Sequence, residues 1–127
     1  MHKTPNKKSI RYQLESFRWA LNGLSEFFQT EVKSRLHLTF ALLAIALGVY
    51  LKVSLTEWSL IIVSIAFVFC CEIINTALER VCNCIVDSHD KQRGIIKDLG
   101  AAAVLISALM AIAIGGFIFA PKLITLL

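Results

Sequence analysis

The chain has 127 residues, 57% of them hydrophobic, and a mean hydropathy of +0.70. That length allows one domain, and a water-soluble domain so small hides too little surface to bury this much apolar matter, so lipid must cover the remainder. The net charge of +4 raises nucleic acid as a partner, but of the thirteen Lys and Arg, seven precede the first apolar run and four (Arg80, Lys91, Arg93 and Lys97) lie between the second and third.

Only Lys52 and Lys122 are left for the other side, and this eleven-to-two asymmetry predicts a cytoplasmic N-terminus and an external C-terminus. Some attraction to anionic headgroups follows as well. The four cysteines, Cys70, Cys71, Cys82 and Cys84, do not have the spacing of a secreted disulfide framework. Cys82 and Cys84 with His89 would lack the fourth ligand of a tetrahedral zinc site, so they read as small apolar residues of a membrane helix.

Residues 1–8 form a polar, basic tail with Pro5, expected to be disordered, and no cleavable signal is expected ahead of the apolar runs. From residue 9 to 30, Ile10, Leu14, Phe17, Leu21, Leu24 and Phe28 recur in steps of four and three. That is one face of an amphipathic helix. With basic and aromatic residues beside a membrane span, it is predicted to lie in the interface plane, or else to pack on a partner.

The first span is predicted over about 36–51 and the second over about 56–83, with Trp58 at the outer boundary. The uncharged run Trp58 to Cys71 has only 14 residues, whereas a span needs about 20, so the second helix must carry Glu72 within or just beneath the headgroups. Residues 84–98 are predicted to be a polar cytoplasmic connection. The third span follows over about 97–120, where Gly100, Ala101, Ala102, Ala103, Gly115 and Gly116 would allow close helix approach. Residues 9–127 thus form a single membrane-embedded domain.

The chemistry concentrates in the segment from Glu72 to Asn83. On a helix, Glu72, Asn75, Thr76, Glu79 and Asn83 fall along one stripe. Two carboxylates and two amides at the end of a span are costly unless they line a wet site or bind a cation. The bland alternatives are polar glue between helices, or Glu79 paired with an arginine. Glu31 with Arg35 and His37, and Lys97 with Asp98, stand at the same cytoplasmic level of the other two spans. For these the plain readings are a snorkelling lysine and an N-cap aspartate. Together the groups supply what phosphoryl transfer needs: a carboxylate pair for Mg²⁺, a cation for phosphate oxygens and a carboxylate base for a hydroxyl. No P-loop and no G-x-G-x-x-G occurs, so any nucleotide must bind to helices.

Four segments carry a specific resemblance: Ser16-Phe-Arg-Trp-Ala-Leu-Asn-Gly-Leu24, Glu31-x-x-x-Arg-Leu-His37, Glu72-x-x-Asn-Thr-Ala-x-Glu79 and Lys97-Asp-x-Gly-Ala-Ala-Ala-Val104. In sequence and order they resemble the bacterial diacylglycerol kinase/undecaprenol kinase family. The resemblance implies an all-α homotrimer in the bacterial inner membrane, each subunit a surface helix followed by three spans, with active sites shared between neighbours. It implies ATP as co-substrate, Mg²⁺ as cofactor, Glu72 as general base and Glu31 with Glu79 as the metal pair. Lys97 would contact the transferring phosphate and Asp98 the nucleotide. Trp19 matches a tyrosine-like position of the surface helix, and Arg11, with a one-residue shift, the nucleotide-facing arginine. Asn75 would orient neighbouring polar groups.

Asn83 stands where the family usually has Asp, and the connection 86–94 departs from the family pattern. The outer turn before Trp58 and the Arg35–His37 segment look more like the undecaprenol branch than the diacylglycerol branch. The competing class is a non-catalytic channel, transporter or assembly subunit with a cation-binding carboxylate site.

Overall fold

In a computed structural model, residues 10–85 and 91–126 are described, and all of their regular structure is helical: α1 (Ile10–Thr30), α2 (Val32–Tyr50), α3 (Leu55–Ile85) and α4 (Lys91–Ile124). The basic tail and His89 lie outside the described residues. The chain divides into two compact units, with the boundary between Arg35 and Leu36.

In the first unit, the apolar stripe of α1 has no cover. Ile10, Leu14, Phe17, Leu21 and Leu24 are between 42% and 79% exposed, which suits a helix whose partner is the lipid interface. Local bonds fasten its polar side: Arg11 pairs with Glu15 at 3.3 Å, and Tyr12 meets Trp19 edge-on at 6.2 Å. The chain leaves α1 at Glu31, whose backbone N–H still reaches the Phe27 carbonyl. The wholly buried Ser34 closes the junction, its hydroxyl donating to the carbonyls of Glu31 (2.6 Å) and Phe27 (3.2 Å).

In the second unit, α2, α3 and α4 are each long and apolar enough to cross a membrane. The 19 residues of α2 rise about 28 Å, close to the hydrocarbon thickness of a bilayer. Large apolar side chains such as Leu43, Leu105, Ile112 and Phe117 remain exposed, as lipid-facing residues should.

The turn between α2 and α3, outer in the predicted topology, is fixed by its backbone. Val53 N–H donates to the Gly48 carbonyl and Lys52 N–H to that of Val49, the paired bonds of a Schellman helix end. Lys52 takes the left-handed conformation there, with φ 50°. Ser54 and Glu57 then cap α3 reciprocally: the Ser54 N–H donates to Glu57 Oε2 at 2.7 Å, and the Glu57 N–H to Ser54 Oγ at 3.3 Å. This is a capping box. A left-handed backbone costs a non-glycine residue about 1 kcal/mol or more, so Lys52→Gly should raise stability by up to about 1 kcal/mol, the extra chain entropy of glycine offsetting part of the gain. Thermal unfolding in detergent checks this; an unchanged or lower Tm would refute it.

Helices α3 and α4 pack closely and antiparallel. At the outer end Lys122 Nζ reaches Glu57 Oε2 at 3.1 Å, and Val53, Ile61 and Ile118 form a small core against Trp58, Ile65, Ile114 and Phe119. At the inner end both Arg93 and Lys97 donate to Asn83. Lipid is as apolar as leucine, so such polar ties and close packing hold spans together, at about 0.6 kcal/mol per hydrogen bond on average. The buried hydroxyls of Ser64 and Ser107 do not serve as glue, because they donate to carbonyls of their own helices.

Of the small residues expected to allow α4 a close approach to a neighbour, Gly100 makes one within this chain. A Cβ there would fall on Asn75 Oδ1 of α3, whereas Gly116 meets nothing within 4 Å and Ala101, Ala102 and Ala103 are exposed. Gly48 of α2 plays a matching part at the outer end, its missing Cβ leaving room for the Trp58 ring. A correction concerns the connection expected over 84–98. Residues 91–98 are the first two turns of α4, because Arg93 and Lys97 lie one turn apart and both fasten to Asn83.

Candidate functional site

The polar stripe of α3 runs from a buried end to an exposed one. Glu72 and Asn75 are 2% and 3% exposed, Thr76 and Glu79 are half-buried, and Asn83 is exposed. Each polar group has found a partner suited to its depth. Buried Glu72 meets the imidazole of His37 from α2, Oε1 to Nε2 at 2.8 Å, which removes the penalty of a solitary interior carboxylate. Asn75 Nδ2 donates to Glu79 Oε1, one turn on, at 3.1 Å. Asn83 Oδ1 accepts from Arg93 Nη2 at 2.6 Å and from Lys97 Nζ at 2.9 Å.

These contacts sort the expected site residues. The second unit brings Asn75 together with Glu79, and Asn83 together with Lys97. Glu72 is joined to His37 across α2 and α3. Asp98 is exposed beside Lys97 on α4. Glu31, Trp19 and Arg11 belong to the first unit: Glu31 is half-buried at the α1–α2 junction, Trp19 lies edge-on to Tyr12, and Arg11 is held by Glu15.

Three functional features were not anticipated. The sequence places His37 at the cytoplasmic level with Glu31 and Arg35, and it is the one histidine in the run from Leu36 to Leu51, but nothing in the pattern pairs it with Glu72. Arg93 falls by sequence within the polar connection between spans. The seat of Asn75 against Gly100 could not be read from periodicity, which describes one helix at a time.

The donor set also suits a hard cation. Among the described residues no three His, Cys, Asp or Glu gather, but Mg²⁺ on a nucleotide requires only one or two carboxylates besides the phosphates. Glu79 meets that requirement in form: Asn75 holds Oε1, which leaves Oε2 without a hydrogen-bond partner among the described residues, and Asn75 Oδ1 is itself a buried acceptor lacking one. Cys82 is buried and Cys84 exposed, consistent with their reading as helix residues.

His37 also lines the inner end of a cavity of about 310 Å³ between α2, α3 and α4. Its walls are built from residues such as Phe40, Ala44, Val68, Ala111 and Phe119, and Ser64 is the other polar side chain on them. A channel would need polar groups along its length, and these walls do not supply them.

The second unit thus carries carboxylates (Glu72, Glu79) and cations (Arg93, Lys97) toward one end of its long helices, residue types that phosphoryl transfer uses. Residues 18–119 match the family described as prokaryotic diacylglycerol kinase. The undecaprenol kinase of Bacillus subtilis is 31% identical over 123 residues, covering 97% of this chain and all of that one. The diacylglycerol kinase of Synechocystis is 32% identical over 115 residues, covering 90% of this chain and 66% of that one. The diacylglycerol kinase of Escherichia coli is 32% identical over 94 residues, covering 74% and 77%. The chain belongs to the prokaryotic diacylglycerol kinase family, a family of small membrane lipid kinases.

Proposed function

We propose that this protein transfers the γ-phosphate of ATP to the hydroxyl of a membrane lipid alcohol at the cytoplasmic face of the inner membrane, with its N-terminus inside. The observation that carries the reading is the graded stripe of α3: a buried, histidine-paired carboxylate at the lipid level, and oxygen and cation donors at the water level one to three turns further on.

In this reading Glu72 takes the hydroxyl proton, as a general base must stand within reach of the attacking group. Glu79 and Glu31 hold Mg²⁺, which offsets negative charge on the triphosphate. Asn75 fixes the Glu79 carboxylate. Lys97, set by Asn83, faces the transferring phosphate, and Asp98, Trp19 and Arg11 bind the nucleotide. Because Asn83 is neutral, the two cations it holds keep their full charge for phosphate oxygens. The functional unit is a homotrimer with sites shared between subunits, as the resemblance to the family implies.

Undecaprenol is the preferred alcohol, ahead of diacylglycerol. The turn before Trp58 and the Arg35–His37 segment look more like the undecaprenol branch, and the cavity walls offer few polar groups to the two ester carbonyls of a glycerolipid. Each carbonyl buried without a partner costs about 1–3 kcal/mol. Initial rates with both lipids, at equal mole fraction in mixed micelles with MgATP, test the proposal. Undecaprenol should be phosphorylated faster. Equal or faster turnover of diacylglycerol would reverse the preference, and turnover of neither would overturn the kinase reading.

A further inference from the structure

Glu72 and His37 come from different spans and meet at 2.8 Å, with side chains only 3% and 20% exposed. That distance is typical of a hydrogen bond to a charged group. Among the described residues, no other side chain is paired with Glu72. The same imidazole lines the inner end of the apolar cavity, where no other titratable side chain is present. His37 therefore stands at the point where the apolar interior between the helices gives way to the polar stripe. A carboxylate held only to keep it from being solitary could be served by any amide or hydroxyl. A histidine adds a second proton site in direct contact with the first.

We propose that His37 is a positioning residue that shares the proton Glu72 receives, so that the base of the transfer is a histidine–glutamate pair rather than a lone carboxylate. The inference rests on the reading of Glu72 as the base. As the lipid O–H bond breaks, its proton passes to the pair. The hydroxyl oxygen uses its electron pair to bond the γ-phosphorus, and the bond from that phosphorus to the β,γ-bridging oxygen breaks, so that ADP leaves with those electrons. A pair that starts with a neutral imidazole and an ionised carboxylate passes from one net negative charge to none, the favourable direction for groups shielded from water. Loss of the proton to water then restores it.

Three variants test this, with undecaprenol and diacylglycerol as probes. His37→Gln keeps a hydrogen-bond donor toward Glu72 but cannot take up a proton, so kcat should fall by about 10²-fold or more with little change in KM for MgATP. His37→Ala should be similarly slow and should regain turnover when imidazole is added, while Glu72→Gln should not respond to imidazole. Wild-type kcat in His37→Gln would overturn the proposal, reducing His37 to a structural donor. So would a slow His37→Ala that imidazole leaves unchanged. Those outcomes leave the Glu72 reading standing; retained turnover in Glu72→Gln would remove that reading and the pair with it.

Discussion

Glu72→Gln lowers kcat for lipid phosphorylation by about 10²–10⁴-fold, the range expected when a positioned base is lost, and leaves KM for MgATP close to wild type. The substitution is nearly isosteric, and the amide can still hydrogen-bond the His37 ring across the 2.8 Å contact, so the α2–α3 tie survives. What is lost is the ability to accept a proton. The fold should tolerate the change well, because it also removes a charge from a site only 2% exposed. Initial rates at saturating MgATP, beside a thermal melt in the same detergent, separate chemistry from folding. Near-wild-type turnover would show that Glu72 is not the base.

Gly100→Ala has the second large effect, and its sign runs against helix propensity. In an open helix position the change should stabilise by about 0.8–1.0 kcal/mol. At Gly100, however, the new Cβ would coincide with Asn75 Oδ1. Asn75 is 3% exposed and holds the Glu79 carboxylate at 3.1 Å, so it has little room to yield. Overpacking of this kind costs about 1–3 kcal/mol, which outweighs the propensity gain. The variant should melt at lower temperature and show a raised KM for MgATP, since Glu79 loses its support. Gly116→Ala, on the same helix with nothing within 4 Å, supplies the contrast, with an unchanged or raised Tm. A Gly100→Ala protein as stable and active as wild type would mean that Asn75 is not seated as described.

Much of this architecture is legible in the sequence because lipid imposes simple rules. Uninterrupted apolar runs mark the spans, a step of three and four marks α1, and the same step gathers Glu72, Asn75, Glu79 and Asn83 on one stripe. Periodicity fails where a polar segment is helical for tertiary reasons. The start of α4 at Lys91 is such a case, since residues 91–97 lack an extended apolar run and are held through Asn83. It fails again for contacts between helices. His37 opposite Glu72, and Gly100 beneath Asn75, depend on how α2 and α4 are placed against α3, which no pattern within one helix records.

The fall in burial along α3 has a consequence for how two unlike substrates meet. From Glu72 to Asn83 the helix advances eleven residues, or about 16 Å. In the proposed reading it passes over that length from the side that admits a lipid chain to the side that admits a nucleotide. In the proposed reaction one substrate dissolves only in the bilayer and the other only in water, so neither can diffuse to the other. A rigid rod bridging the two solvents acts as a gauge, fixing the level at which a hydroxyl drawn up from below and a phosphate let down from above come into line. Adding one residue between Glu72 and Glu79 would turn the halves of the stripe apart by about 100°, and the two reactants would wait on different sides of the same helix.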